Sequence, residues 1–279
     1  MTGPRYAATK GWAKSEHRSG PNQNIEINQH LRTLRDRKDH LRWASKWLKG
    51  KSLSSIDLDT LDALGKKKAA TGVGPATVNR HLASVSAVLG HAFKKGWITH
   101  KPPIPKRQEP DRRIRWATQQ QARALLAALP PHLAAMAEFA LATGLRRANV
   151  THLEWSQVDL GQRIAWIYAD QAKGKRDIAV PLSDGAVAVL RRQLGAHAKW
   201  VFPYRGGPIR ETGQVACLAA TQAAGLEDSH WHDLRHTWAS WHVQNGTPIA
   251  VLQELGGWRD MKMVALCASV AESPRAVRG

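Results

Sequence analysis

The stretch from Lys101 to Arg113, "KPPIPKRQEPDRR", constrains the fold more than any other, because it sets four prolines and a dense run of charges between two long regions of helical patterning. Proline lacks the amide N–H that a helix needs and disfavours helical backbone in the residue before it, so no helix crosses this stretch. Cut there, a chain of 279 residues leaves two parts, each long enough to bury a core. The expected organisation is a flexible basic arm over residues 1–24, a helical domain over 25–100, a linker over 101–115 and a second domain over 116–279.

In the first part, Ile27, Leu31, Leu34, Leu41, Ala44 and Leu48 recur at helical spacing, with Arg and Lys filling much of the remainder. "SLSSIDLDTLDAL" offers Asp57 or Asp59 as a helix start, and Val78, Leu82, Val85, Leu89 and Phe93 mark another apolar stripe. In the second part, "TQQQARALLAAL" has Thr118 as N-cap and "PHLAAMAEFALATGL" is closed by Gly144. "RIAWIYA" and "DIAVPL" are short, β-branched and aromatic, and predict a hairpin with "DQAKGKR" at its tip. Helical patterns resume at "DGAVAVLRRQL", "GQVACLAATQAAG", "HDLRHTWASWHVQNG" and "PIAVLQELGG". The fold class expected is mainly α with a small β-sheet or hairpin in the C-terminal domain.

Charge narrows the partner. Lys and Arg number 41 against 22 acidic residues, a net +19, which favours a polyanion. No segment pairs a strong apolar face with a lysine-rich opposite face, so a membrane surface fits poorly. No apolar run has the length of a membrane-spanning helix and the N-terminal residues lack an apolar signal core, so a cytoplasmic protein is expected. Only Cys217 and Cys267 are present, too few for a disulfide framework or a CxxC-type metal site, and reduced thiols are expected, with Cys217 buried.

Five features of the second part, "ATGLRRANV", "AKGKRDIAVPL", "HDLRHTWAS", "LGGW" and the stretch "MVALCASVAESP", stand in an order that resembles the tyrosine recombinases, or phage integrases. The resemblance runs from about Ile25 to Val264. It implies a helical core-binding domain and a catalytic domain that close around double-stranded DNA, metal-free and cofactor-free strand exchange, and a homotetramer on DNA. It also implies that Arg146 and Arg235 hold the scissile phosphate, a task that suits planar, permanently charged donors. Lys173, eight residues before Pro181, matches the family's general acid, with Lys175 as the near neighbour. His232 takes a hydrogen-bonding or proton-accepting role, and Trp258 supplies an indole N–H to the phosphate. Phosphate contacts in the first domain are expected from Arg32, Arg35, Lys38, Arg42, Asn79 and Arg80.

The nucleophile is missing. Where relatives end like "MVxRYAHLSP", this chain has Met263 and Val264, then Leu266 and Cys267 in place of the Arg-Tyr pair. Its three tyrosines, Tyr6, Tyr168 and Tyr204, all lie elsewhere. Encoded as GCG CTA TGC GCA TCT GTC GCC GAG TCA CCT, Ala265 to Pro274 read one base later give Arg-Tyr-Ala-His-Leu-Ser-Pro-Ser-His, the family ending. The expectation is a frameshift between about Val264 and Ala265 and a chain that binds DNA without cutting it.

Three other readings exist. Cys267 could serve as a substitute nucleophile; the chain could be a DNA-binding protein without catalysis; or "HDLRH", resembling the H-E-x-x-H pattern with Asp for Glu, could place zinc on His232 and His236 in a hydrolase. The zinc reading lacks a glutamate base and an evident third ligand, and a packed or solvent-facing helix residue is the plainer reading of His236.

Overall fold

A computed structural model of the chain describes residues 34–110, 115–171, 176–209, 214–227, 229–258 and 260–271. The chain divides into two compact units, Met1–Asp111 and Arg112–Gly279.

The first unit is helical. Helix α1, Leu34–Leu48, buries Leu41, Ala44 and Leu48. After a 3-10 turn at Leu53–Ser55 comes α2, Leu58–Ala69, whose N-cap is Asp57; its carboxylate accepts the Thr60 N–H at 2.8 Å. Helix α3, Pro75–Lys94, carries proline in its first turn, where the missing N–H costs nothing, and buries Val78, Leu82, Val85 and Leu89 against the other two. Phe93, expected on the same stripe, is instead 49% exposed. Ala92 takes the buried place.

Beyond α3 the proline-rich stretch is fastened down as far as residue 109. Ile104 packs on the core. The Asn79 amide donates to the Arg107 carbonyl at 2.9 Å and to the Glu109 carboxylate at 2.7 Å, while its oxygen accepts the Arg107 N–H at 2.8 Å. The Arg107 guanidinium pairs with Asp62 at 2.8 Å and donates to the Asp62 carbonyl.

In the second unit, α4, Gln119–Ala128, opens with a capping box between Thr118 and Gln121. Helix α5, Pro131–Thr143, is apolar nearly all round and forms the centre of the core with Met136, Phe139 and Ala140. Its C-cap is Gly144 in the left-handed conformation, φ 63°. Helix α6, Arg147–Thr151, follows directly.

A three-stranded antiparallel sheet comes next, β1 (Val158–Asp159), β2 (Ile164–Ile167) and β3 (Ile178–Pro181), in sequence order. The expected hairpin is β2–β3, paired in the register Ile164 to Pro181 through Ile167 to Ile178. Alternation puts Ala165, Ile167 and Val180 inward and leaves Trp166 exposed. Helix α7, Asp184–Gln193, has Ser183 as N-cap. A two-stranded ribbon, β4 (Pro203–Tyr204) with β5 (Gly207–Pro208), precedes α8, Gln214–Ala223. Sequence periodicity gave no sign of this ribbon, since its strands are two residues each.

Three helices complete the unit: α9, Asp233–Gln244; α10, Ile249–Gly256; and α11, Met261–Ala271. They share a small core of Trp238, Ala239, Leu252, Val264 and Cys267. The mainly α fold with a small sheet in the second part is as expected. No helix among the described residues is long and apolar enough to cross a membrane.

Candidate active site and nucleic-acid surface

Arg235 organises the site. It sits in the first turn of α9, is 3% exposed, and donates to the carbonyls of Gly144 at 2.6 Å and Gly256 at 2.5 Å. The ring of Trp258 covers it, 3.9 Å from ring centroid to guanidinium carbon. Both carbonyls belong to glycines for a steric reason: a Cβ on Gly144 would collide with the Trp238 ring, and one on Gly256 with the Trp258 ring. The "TGL" and "LGGW" motifs thus let two backbone carbonyls reach one guanidinium while two indoles, stacked at 5.9 Å, close over them.

The like charge of Arg146 reaches this group. Arg146 stands extended at the N-cap of α6, half-buried, and burial presses its pKa below the ordinary guanidinium value. Burial, and then Arg146, push Arg235 down to about 9, which leaves it protonated at pH 7. Carbonyl dipoles and an aromatic face hold the Arg235 charge without neutralising it, and among the described residues no carboxylate acts on it. Two clustered cations lacking a counter-charge make a site for an anion.

His232, the N-cap of α9, is exposed, and its ring meets that of His236 edge-on at 4.9 Å, one turn along the helix. His236 is buried, with Nδ1 3.3 Å from the Cys267 sulfur. Sequence reading assigned His236 no contact with the site; its only signal was the four-residue spacing from His232. Cys267 is fully buried on the α9-facing side of α11. Burial raises its thiol to about 11 against the opposing pull of Arg235, so the thiol is protonated at neutral pH.

The structure thus brings Arg146, His232, Arg235, Trp258 and Cys267 together. Lys173 and its neighbour Lys175 lie outside the described residues, as do Tyr6 and Arg32. Tyr168 and Tyr204 are exposed. Among the described residues no group of three or more His, Cys, Asp or Glu side chains is placed to hold a metal ion. Cys217, expected to be buried, is only partly so: it packs against the core of the second unit but also borders an open cavity between α4 and α8.

On the first unit, Arg35, Lys38 and Arg42 share the exposed face of α1, with Arg42 paired to Asp39 at 2.6 Å. Arg80 of α3 is exposed and its charge reaches His40 of α1, as does that of Lys68. Asn79 is engaged with residues 107–109 through both its amide nitrogen and its oxygen.

A two-part, mainly helical chain with a small antiparallel sheet is an architecture that known proteins share. The model of the Phage integrase family matches residues 115–272, more than half of the chain. The chain belongs to that family. It is 42% identical over 210 residues to the integrase of Salmonella phage P22, a match covering 70% of this chain and 54% of that one. It therefore spans about half the length of that relative. It is 28% identical over 249 residues to the tyrosine recombinase XerD of Caulobacter vibrioides, covering 80% of each chain. Among solved structures, a lambda integrase dimer bound to a COC′ core site superposes with a TM-score of 0.73 at 18% identity, over 88% of this chain and 93% of that one. The Tn1549 transposon integrase in complex with circular intermediate DNA gives 0.70 at 15% identity, over 89% and 95%.

Proposed function

We propose that this chain is a site-specific recombinase of the tyrosine type that binds double-stranded DNA in the cytoplasm but does not cut it. The observation that carries the reading is the cluster in which Trp258 covers Arg235, Arg146 presses on the Arg235 charge, and His236, the ring neighbour of His232, meets Cys267: a phosphate clamp whose expected nucleophile is replaced by a buried, protonated thiol. In this reading Arg146 and Arg235 take the non-bridging oxygens of the phosphodiester. His232 and the Trp258 indole donate to the same group, and Lys173 delivers a proton to the departing 5′ oxygen. A tyrosine at position 267 would attack phosphorus, the P–O bond to the 5′ oxygen would break, and a 3′-phosphotyrosyl link would hold the strand for rejoining.

The thiol does not substitute. A pKa of about 11 leaves roughly one thiol in 10⁴ ionised at pH 7. Phosphate contacts from the first unit, with Arg35, Lys38, Arg42 and Arg80 as donors and Arg32 among the residues before them, supply most of the affinity. Asn79 acts there by fixing residues 107–109 and not by touching DNA. Assembly follows the lambda integrase tetramer bound to a Holliday junction, a structure with a TM-score of 0.72 at 18% identity. The altered ending comes from a shift of reading frame between about Val264 and Ala265.

Three measurements test this. Mobility shift on attachment-site duplexes should show binding that weakens steeply with salt, and a nicked suicide duplex should give no covalent adduct. A covalent complex that disappears in Cys267→Ser would overturn the cleavage-deficient reading. Sequencing the DNA that encodes Asp260 to Gly279 decides the frame: the shifted reading should continue as "RYAHLSPSHL".

A further inference from the structure

The first unit gathers ionisable groups from three helices around two histidine rings. His40 of α1 and His81 of α3 lie with ring centroids 4.0 Å apart, and the rings of Trp43 and His81 meet edge-on at 5.5 Å. Lys68, in the last turn of α2, sits over the face of the same indole, with Nζ 4.9 Å from its centroid. Arg80, exposed on α3, directs its charge at His40, as Lys68 does. Asp36 and Asp39 of α1 act on His40 in the opposite sense, and Asp39 is itself paired with Arg42 at 2.6 Å. Hydrogen bonding fixes where the ring protons are. Ser84 gives its one hydroxyl hydrogen to the Arg80 carbonyl at 3.1 Å, so it accepts from His40 Nδ1 at 2.9 Å. The Thr77 carbonyl can only accept, so His81 Nδ1 donates to it at 3.0 Å. Each neutral ring therefore carries its lone pair on Nε2. His81 is buried, whereas His40 is half-buried.

We infer that Lys68, Arg80 and His40 form a seat for a backbone phosphate of DNA, and that His40 joins it only after taking up a proton. Unprotonated, Nε2 sets a lone pair against the phosphate oxygens and repels them; protonated, it becomes a third cationic donor beside the ammonium and the guanidinium. The proton comes from solvent and stays on Nε2 while the phosphate is bound. In the free chain burial is the first cause that holds the His40 pKa below 6.5, with Lys68 and Arg80 reinforcing it against Asp36 and Asp39. A phosphate in the seat adds negative charge beside the ring and raises that pKa, so binding and proton uptake favour each other. Donors that are Lys or Arg keep their charge across this range and give no such dependence. His81, engaged by Thr77, Trp43 and His40, backs the His40 ring without reaching the phosphate. The inference rests on the proposed DNA binding and adds to it two donors, Lys68 and His40, and a dependence on pH.

The test uses the full chain and a rhodamine-labelled DNA duplex, with fluorescence anisotropy read at fixed ionic strength between pH 8 and pH 6 and far-UV circular dichroism checking at each pH that the chain is folded. The dissociation constant of the parent should fall about fivefold over that range. His40→Gln should hold the change to within about twofold, while His232→Gln, which removes the other histidine placed on a phosphate, should keep at least about threefold. Lys68→Gln, a change at the end of α2, reads the same seat if His40→Gln does not fold. It should weaken binding at pH 6, lower the slope of log affinity against log salt by about one and flatten the pH dependence. Parent affinity independent of pH, or a pH dependence in His40→Gln or Lys68→Gln equal to that of the parent, would overturn the inference and leave DNA binding standing. No binding at any pH would overturn the DNA-binding reading itself, and the inference with it.

Discussion

Arg235 lies 3.9 Å beneath the ring of Trp258, and its two terminal nitrogens are bound to the carbonyls of Gly144 and Gly256. The guanidinium is thereby fixed between the end of α5 and the end of α10 before any anion arrives. Trp258→Ala removes the aromatic face from a desolvated cation and should cost about 2 kcal/mol of stability, while Trp258→Phe, which keeps a ring there, should cost less than half of that. Urea denaturation of the three proteins measures the difference. Equal midpoints for the alanine variant and the parent would show that the stack contributes nothing.

Gly144 combines a left-handed φ of 63° with close packing on Trp238. Gly144→Ala should therefore destabilise the second unit by roughly 2 kcal/mol or more, since both the backbone and the indole must move. Gly195 has a similar φ of 80° but no atom within 4 Å of where a Cβ would stand. Gly195→Ala should cost only the backbone term, about 1 kcal/mol. Denaturation midpoints that fell equally for both variants would remove the packing argument.

The two thiols should react very differently. Cys217 is half-exposed, whereas Cys267 is buried and its pKa is raised to about 11, so at pH 8 only about one Cys267 in 10³ is a thiolate. Mass spectrometry after a short pulse of iodoacetamide should find one alkylated cysteine in the native protein and two after unfolding. Rapid native modification of Cys267 would contradict its burial.

The first unit should weaken in acid. The rings of His40 and His81 lie 4.0 Å apart at a tilt of 36°, and His40 hydrogen-bonds Ser84 at 2.9 Å. Burial lowers the pKa of both below 6.5; Asp36 and Asp39 oppose this at His40, and Lys68 and Arg80 reinforce it. The unfolded chain therefore binds more protons than the folded one as pH falls below about 6.5. Stability is complete above that value and is lost as pH drops from 6.5 through the lowered folded pKa values. The melting temperature should fall between pH 7.5 and pH 5, and replacing both histidines by glutamine should remove most of the slope, leaving the share of His91, whose pKa burial also lowers. An unchanged slope in that double variant would place the effect elsewhere.

Arg107 should control how firmly the proline-rich stretch is held. Arg107→Ala removes the pairing with Asp62 and should cost about 1 kcal/mol, given that both partners are partly solvated. Limited proteolysis within residues 101–110 should accelerate, with cleavage elsewhere in the first unit unchanged. No change in the cleavage rate of that stretch would mean that Asn79 and the packing of Ile104 suffice to hold it.

What the sequence by itself determined is what short-range chemistry controls. The caps at Asp57, Thr118 and Gly144, the break at the prolines and the β2–β3 hairpin follow from propensity and periodicity, because each depends on residues a few positions apart. The family motifs singled out Arg146, His232, Arg235 and Trp258, and the absence of tyrosine near the C-terminal end could be read directly. Only the tertiary structure decided how those residues are used. Two glycine turns must meet before two carbonyls and an indole surround one guanidinium, and that meeting joins Arg235 to a carbonyl 91 residues away. The same holds for Asn79, whose exposed-helix position suggested DNA but whose amide is spent on a chain segment 28 residues away. It holds equally for Cys267: the sequence shows a thiol in place of a phenol, whereas its burial, its contact with His236 and its raised pKa arise from how α11 packs on α9, which no local pattern encodes.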